Sequence, residues 1–258
     1  MINNMEEYIS DSRTLPEAYH RALWLLKTYG VETPCPDYNT TQKEISLTMF
    51  VEEPLAEPMI SRLMIGGPRE LEQYRQEMLD GILDFEIEQG NWTYTYHDRM
   101  VNYHGINQIE FVIDELRRNP YSRRAVIVIR DVEIDAGNAD PACLQHIQYF
   151  VRDNKLHCKV MFRSNDACKA TFMNAFALIM LQKRIADELG YEMGSYTHRA
   201  NSFHCYAADY KLLDGYVSRY LKGEETTYSY AEEWQELMQD ECENIAEMVK
   251  ELRSHGTE

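Results

Sequence analysis

The stretch Asp140–Val151, DPACLQHIQYFV, sets a cysteine directly behind a Pro-Ala pair, and Phe162–Asn174, FRSNDACKATFMN, follows shortly after it. A thiol becomes a nucleophile when cationic neighbours hold its thiolate form. No cation adjoins Cys143, whose next residue is Leu144, so the fold must deliver one, and Arg163 is the first candidate. Arg163 ends an apolar run in which an unpaired guanidinium is costly, and Ser164 adds a hydroxyl beside it. The pair reads equally as an anion clamp next to a thiol or as a surface arginine with a helix-capping serine. Asp166 is of the residue type that caps helices. Asn174 sits within FMNAFALIM, where a buried amide needs partners. It offers a donor and an acceptor side by side, a pattern that pairs with a pyrimidine edge; the alternative is a core asparagine bonded to backbone. Arg123 and Arg124, in NPYSRRAVIVIRD, form the other dense positive point.

The elements that must position these groups follow from periodicity. LPEAYHRALWLLKTYG is an amphipathic helix stopped by Gly30, and GPRELEQYRQEMLDGI a second, opened by Gly-Pro and closed near Gly81. INQIEFVIDELRRNP is a helix ended by Asn119-Pro120, and ATFMNAFALIMLQKRIADELG a long one, apolar nearly all round at its start and therefore buried. EISLTMFVEEP alternates as a strand, RRAVIVIRD reads as a buried one, and HIQYFVRD and KLHCKVMFRS form a hairpin turning at Asn154-Lys155. TPCPDYNTTQ reads as a loop, NWTYTYHDRM as a strand or loop crowded with aromatics, and GSYTHRANSFHCYAADY as a strand running into a turn. The acidic C-terminal third is helical. The expectation is one α+β domain over residues 1–258, a large mixed sheet packed against a buried central helix.

Composition bounds the partners. The 258 residues carry a net charge of −17, which repels polynucleotides, so DNA is not an expected partner. A small anion remains possible wherever a few arginines are focused in a cleft. The six cysteines show no CxxC pairing, which argues against zinc ribbons and leaves no expected metal. No stretch approaches a membrane span and the first residues lack a signal-peptide pattern, so the expected compartment is the cytoplasm.

Together these segments resemble the thymidylate synthase family over roughly residues 70 to 215, in the archaeal-like form in which Leu144 follows the cysteine. PACLQ is similar to the family's Pro-x-Cys site, NPYSRR to Pro-x-Ser-Arg-Arg, FRSNDACKATFMN to Arg-Ser-x-Asp with Asn eight residues later, SFHCY to His-x-Tyr, and YTYHDRM to its tyrosine-rich stretch. The resemblance implies a folate-dependent methyltransferase that carries a one-carbon unit from methylenetetrahydrofolate to carbon 5 of deoxyuridine monophosphate and reduces it. The alternative is a pyrimidine 5-hydroxymethylase that quenches with water. It further implies that Cys143 adds to carbon 6 and that Arg163 and Ser164 hold the phosphate, Arg163 also favouring the thiolate. Asn174 would read the base, His204 and Tyr206 hold the sugar, and Asp166 bind the pterin with Ala170 nearby. Tyr96, or Tyr94, would help remove the carbon 5 proton, and Glu77 would organise water. Arg123 and Arg124 would complete the partner's phosphate site in a homodimer joined through the sheet. Three features depart from the family pattern: Lys43 is the only cation in DYNTTQKEIS, the C-terminal VKELRSHGTE has no recognisable closing segment, and Ala170 replaces a glycine.

Overall fold

A computed structural model describes residues 6–255. Nine strands are present among these residues: β1 (Glu7–Ser12), β2 (Val31–Cys35), β3 (Thr40–Val51), β4 (Ile60–Ser61), β5 (Val126–Val128), β6 (Leu144–Arg152), β7 (Lys155–Asp166), β8 (Glu192–Tyr206) and β9 (Thr227–Tyr228). Seven of them build one mixed sheet in the order β1-β3-β8-β7-β6-β5, with β2 also on β3, while β4 and β9 pair apart. The helices are α1 (Leu15–Tyr29), α2 (Pro68–Asp80), α3 (Phe85–Glu88), α4 (Tyr96–Val101), α5 (Gln108–Arg118), α6 (Val132–Asp135), α7 (Thr171–Leu189), α8 (Tyr210–Leu221), α9 (Gln235–Asp240) and α10 (Cys242–His255). The expected α+β class, with its large mixed sheet and buried helix, is what forms.

Local chemistry explains the boundaries. Thr14 and Glu17 make a reciprocal capping box at the start of α1, and the Gly30 amide bonds to the Leu26 carbonyl at its end. The β6–β7 turn is one residue earlier than expected: Asp153 and Asn154 take φ values of 50° and 61°. Such paired left-handed residues match the strand twist of a two-residue hairpin, and Asp and Asn tolerate them. α7 crosses between the parallel strands β7 and β8 and lies on the sheet, as a parallel connection requires. Phe172, Ala175, Phe176, Leu178, Ile179 and Leu181 bury almost completely, each large side chain stabilising by roughly 1.5–3 kcal/mol. Along β6 and β7 the buried residues alternate with half-exposed ones such as Phe150 and Met161, which leaves the sheet face away from α7 partly open.

Three further expectations change. The segment read as a loop at 33–42 is the β2–β3 hairpin, whose tip is only Pro36–Asn39. The aromatic stretch 91–100 ends in helix α4, because the Thr95 hydroxyl accepts the Asp98 amide and caps it. The apolar run 123–131 pairs over only three residues and lies at the sheet edge, with Val128 40% exposed. Its alternation with buried Ala125, Ile127 and Ile129 shows one face turned outward.

Candidate active site

Strand register gathers the candidate residues at one end of the sheet. Leu144 opposes Phe162, and the Arg163 amide donates to the Cys143 carbonyl at 2.8 Å, so the cysteine and arginine are neighbours. A bulge between Leu144 and His146 kinks β6 at this point. In the next strand Ser164 pairs with Ser202 and Asp166 with His204, and Tyr206 opposes Gln42 beyond. Cys143, Arg163, Ser164, Asp166, His204 and Tyr206 thus come together without any two being close in the chain except within motifs.

Arg163 is half-buried and its guanidinium closes on the peptide before the cysteine: Nε donates to the Ala142 carbonyl at 3.0 Å and Nη2 to Pro141 at 2.6 Å. This replaces the surface-arginine reading. Burial pushes the Cys143 thiol above its ordinary pKa, Arg163 pulls it back and Asp140 adds to the rise. Ser164 lies within β7 and caps no helix; its hydroxyl is 3.3 Å from His204 Nδ1. Asp166 does not cap α7 either, since the N-cap position is Ala170. The Asp166 carboxylate instead accepts the amides of Cys168 and Lys169, both at 2.9 Å, and so shapes the turn that leads into α7.

Asn174 bonds to side chains rather than backbone: it accepts from Asn165 at 2.9 Å and donates to the Tyr74 hydroxyl at 2.5 Å. His204 Nδ1 lies 3.3 Å from the Ser202 carbonyl and therefore carries the proton, while buried Nε2 has no partner among the described residues. It is an acceptor waiting for a donor. The Tyr206 ring packs on His204 at 4.8 Å and on Tyr38 at 5.3 Å.

Beside the cysteine a cleft of about 430 Å³ is lined by Tyr74, Glu77, Trp92, Tyr94, Tyr96 and Asp140, among others. Tyr96 accepts the Leu144 amide at 3.3 Å, next to the cysteine, and Tyr94 stacks obliquely on it at 5.9 Å. Burial raises both phenols well above their ordinary value, so both stay protonated at neutral pH. Burial also raises the Glu77 carboxyl, against a 2.8 Å bond from Gln73 that lowers it. Flat aromatic walls around a few polar groups suit a planar ring.

Not every predicted residue is here. Arg123 and Arg124 are exposed, just before β5, where Val126 pairs with Gln148. At about 3.3 Å per residue that places them well over 10 Å along the sheet from Cys143 of the same chain. Lys43 opposes Cys205, and its ammonium lies 5.1 Å from the Tyr210 ring centre. Helix α10 runs to His255 and rests on the α3 region, with Arg253 over the Phe85 ring at 4.8 Å; the last three residues of the C-terminal stretch without a recognisable closing segment, 256–258, lie outside the described residues. Among residues not read from sequence, Tyr38, Tyr74, Asn165 and His198 reach the site. Only the Asn165 position, inside the Arg-Ser-x-Asp motif, carried a local signal.

The thymidylate synthase family model matches residues 68–255, and the chain belongs to that family. A Methanosarcina barkeri protein provisionally named a thymidylate synthase is 28% identical over 209 residues, covering 80% of this chain and 93% of its own. One from Methanocaldococcus jannaschii, with the same provisional name, is 35% identical over 166 residues, 60% of this chain and 72% of its own. The thermostable thymidylate synthase A of Bacillus subtilis shares the fold, with a TM-score of 0.64 at 18% identity over 80% of this chain and 84% of that one.

Proposed function

We propose that the protein is a thymidylate synthase acting on deoxyuridine monophosphate, with Cys143 as its nucleophile. The observation that carries the reading is the grip of Arg163 on the Pro141 and Ala142 carbonyls. It holds the peptide just ahead of the cysteine, near an aromatic cleft that Asp140 and Tyr96 help line, and supplies a cation that opposes the burial of the thiol. Methylenetetrahydrofolate supplies the one-carbon unit and, in a synthase, the hydride.

The chain's own residues then have definable work. Cys143 loses its proton and bonds to carbon 6 of the pyrimidine, a step that a phosphate near Arg163 and Ser164 orients by proximity. Asn174 pairs with the base edge, and the bare Nε2 of His204 accepts from a sugar hydroxyl, with Tyr206 beside it. Asp166 and Ala170 border the folate. The buried phenols of Tyr96 and Tyr94 are donors rather than bases at neutral pH, so Tyr96 orients the acceptor of the carbon 5 proton. Glu77, whose carboxyl burial raises above its ordinary value, organises the water that relays that proton. Arg123 and Arg124 serve the phosphate of a partner in a homodimer joined through the half-open sheet face.

The test is incubation with deoxyuridine monophosphate and methylenetetrahydrofolate. A product heavier by one methylene unit, with a matching rise in dihydrofolate absorbance, is expected. A 5-hydroxymethyl product without dihydrofolate would make the chain a hydroxymethylase, and no product at all would remove the nucleotide reading.

A further inference from the structure

The groups that hold Asn174 form one buried line. The Tyr196 hydroxyl lies 2.9 Å from His198 Nδ1, and His198 Nε2 lies 2.8 Å from Asn165 Oδ1. Asn165 Nδ2 then donates to Asn174 Oδ1 at 2.9 Å, and Asn174 Nδ2 to Tyr74 at 2.5 Å. Thr171 donates to Asn165 Oδ1 at 2.8 Å. Tyr196, His198, Asn165 and Asn174 are all at most 6% exposed, so water cannot replace a lost partner. The line contains no charge: burial holds the His198 imidazole neutral, with its pKa down to about 3. One ring proton must therefore serve one end, and it lies on Nε2 because Asn165 offers an oxygen there.

Neither amide can turn alone. Turning Asn174 would face its NH₂ with that of Asn165, and turning Asn165 would face two carbonyl oxygens. Only a concerted turn of both, with the His198 proton moved to Nδ1, preserves the line. That reversed line lets Thr171 give its hydrogen to the Asp166 carbonyl, also at 2.8 Å. In each polarity Asn174 keeps one free N–H and one free lone pair, and reversal exchanges their places. One arrangement matches the carbonyl and ring N–H of uracil; the other matches the amine and ring nitrogen of cytosine.

We propose that Asn165, held by His198, is a positioning residue that locks the amide of Asn174 and thereby sets which pyrimidine the site accepts. The inference rests on the nucleotide reading above. Asn165 meets no substrate itself in this scheme; it acts through its neighbour.

The experiment compares equilibrium binding of deoxyuridine and deoxycytidine monophosphates to wild type and to Asn165→Ala, with the fold checked by circular dichroism. Wild type is expected to prefer the uracil nucleotide at least tenfold, about 1.4 kcal/mol. Asn165→Ala frees Asn174 to turn, so uracil affinity falls, cytosine affinity holds or rises, and the ratio drops to about threefold or less. If Asn165→Ala does not fold, His198→Phe asks the same question, since its ring keeps the stack on Phe162 at 4.7 Å. Equal weakening of both nucleotides would make the line merely structural and overturn the proposal, as would a wild type that binds both alike. A wild type that binds neither would instead remove the nucleotide reading on which the proposal stands.

Discussion

Cys143 sits where burial and charge oppose each other. Because burial is the larger influence, the free protein holds a protonated thiol at neutral pH, and reactivity must rise with pH. Alkylation of Cys143 by iodoacetamide, followed by peptide mass, is expected to show a midpoint above the ordinary thiol value of 9.0, and Arg163→Gln should move it higher still. An unchanged midpoint in that variant would mean the guanidinium serves only the backbone carbonyls. Cys143→Ser keeps the shape but offers a neutral hydroxyl, so turnover should vanish while nucleotide binding persists. Residual product near a tenth of wild type, about 1.4 kcal/mol of barrier, would defeat the covalent route. Asn174→Asp is compatible with the neighbouring groups, because Asn165 still donates to it and the Tyr74 hydroxyl can turn to do so. A carboxylate accepts only, so the ratio of specificity constants should shift from uracil toward cytosine.

Helix α7 and the sheet beneath it set the rigidity of the site. Phe176 is fully buried in the second turn of the helix, two residues beyond Asn174. Phe176→Ala should cost about 3–5 kcal/mol in urea unfolding through lost transfer energy and the cavity left behind. Two histidines tie α1 and β8 to pH. Burial lowers His20, bonded at 2.7 Å to Ser61, to about 4 and His198 to about 3. Both are thus neutral in the fold and become protonated first in the unfolded chain. Their contribution is fully present above the ordinary histidine value of 6.5 and is lost as pH falls below it. Between pH 6.5 and 5 each removes roughly 1–2 kcal/mol of stability by this linkage. In His20→Gln the loss over that interval should shrink by about one such share, as read from denaturant midpoints at the two pH values. An unaltered pH dependence would mean that His20 is protonated in the fold.

For the molecule as a whole, the net charge of −17 opposes a phosphate ester, so the few arginines free of acidic partners matter more than their number. Arg123 and Arg124 have no ion pair among the described residues and stand away from their own chain's cysteine. If they serve a partner's site, Cys143→Ser and Arg124→Ala subunits, each inactive alone, should regain activity after mixing. A hybrid dimer then holds one site with its own cysteine and a neighbour's arginine. Exchange verified by sedimentation or native mass, without recovered activity, would rule out shared sites.

What the amino-acid order determined by itself was local: the period of α1 and α7, the glycine stop of α1, the hairpin pair β6 and β7, and the motifs around Cys143, Arg163, Asn174 and His204. These depend on neighbours within a turn or a strand, where residue type and spacing decide the outcome. Even there the β6–β7 turn shifted by one residue, and the aromatic stretch before α4 concealed a helix started by a single threonine cap. The tertiary structure alone decided the rest. Only the β7–β8 register sets Asp166 beside His204, and only the β2–β3 hairpin carries Tyr38 to Tyr206. The bond between Asn165 and His198 spans 33 residues, and that between Asn174 and Tyr74 spans 100. Such partners are chosen because burial forbids an unpaired polar atom, a condition that exists only once distant strands and helices have closed around it.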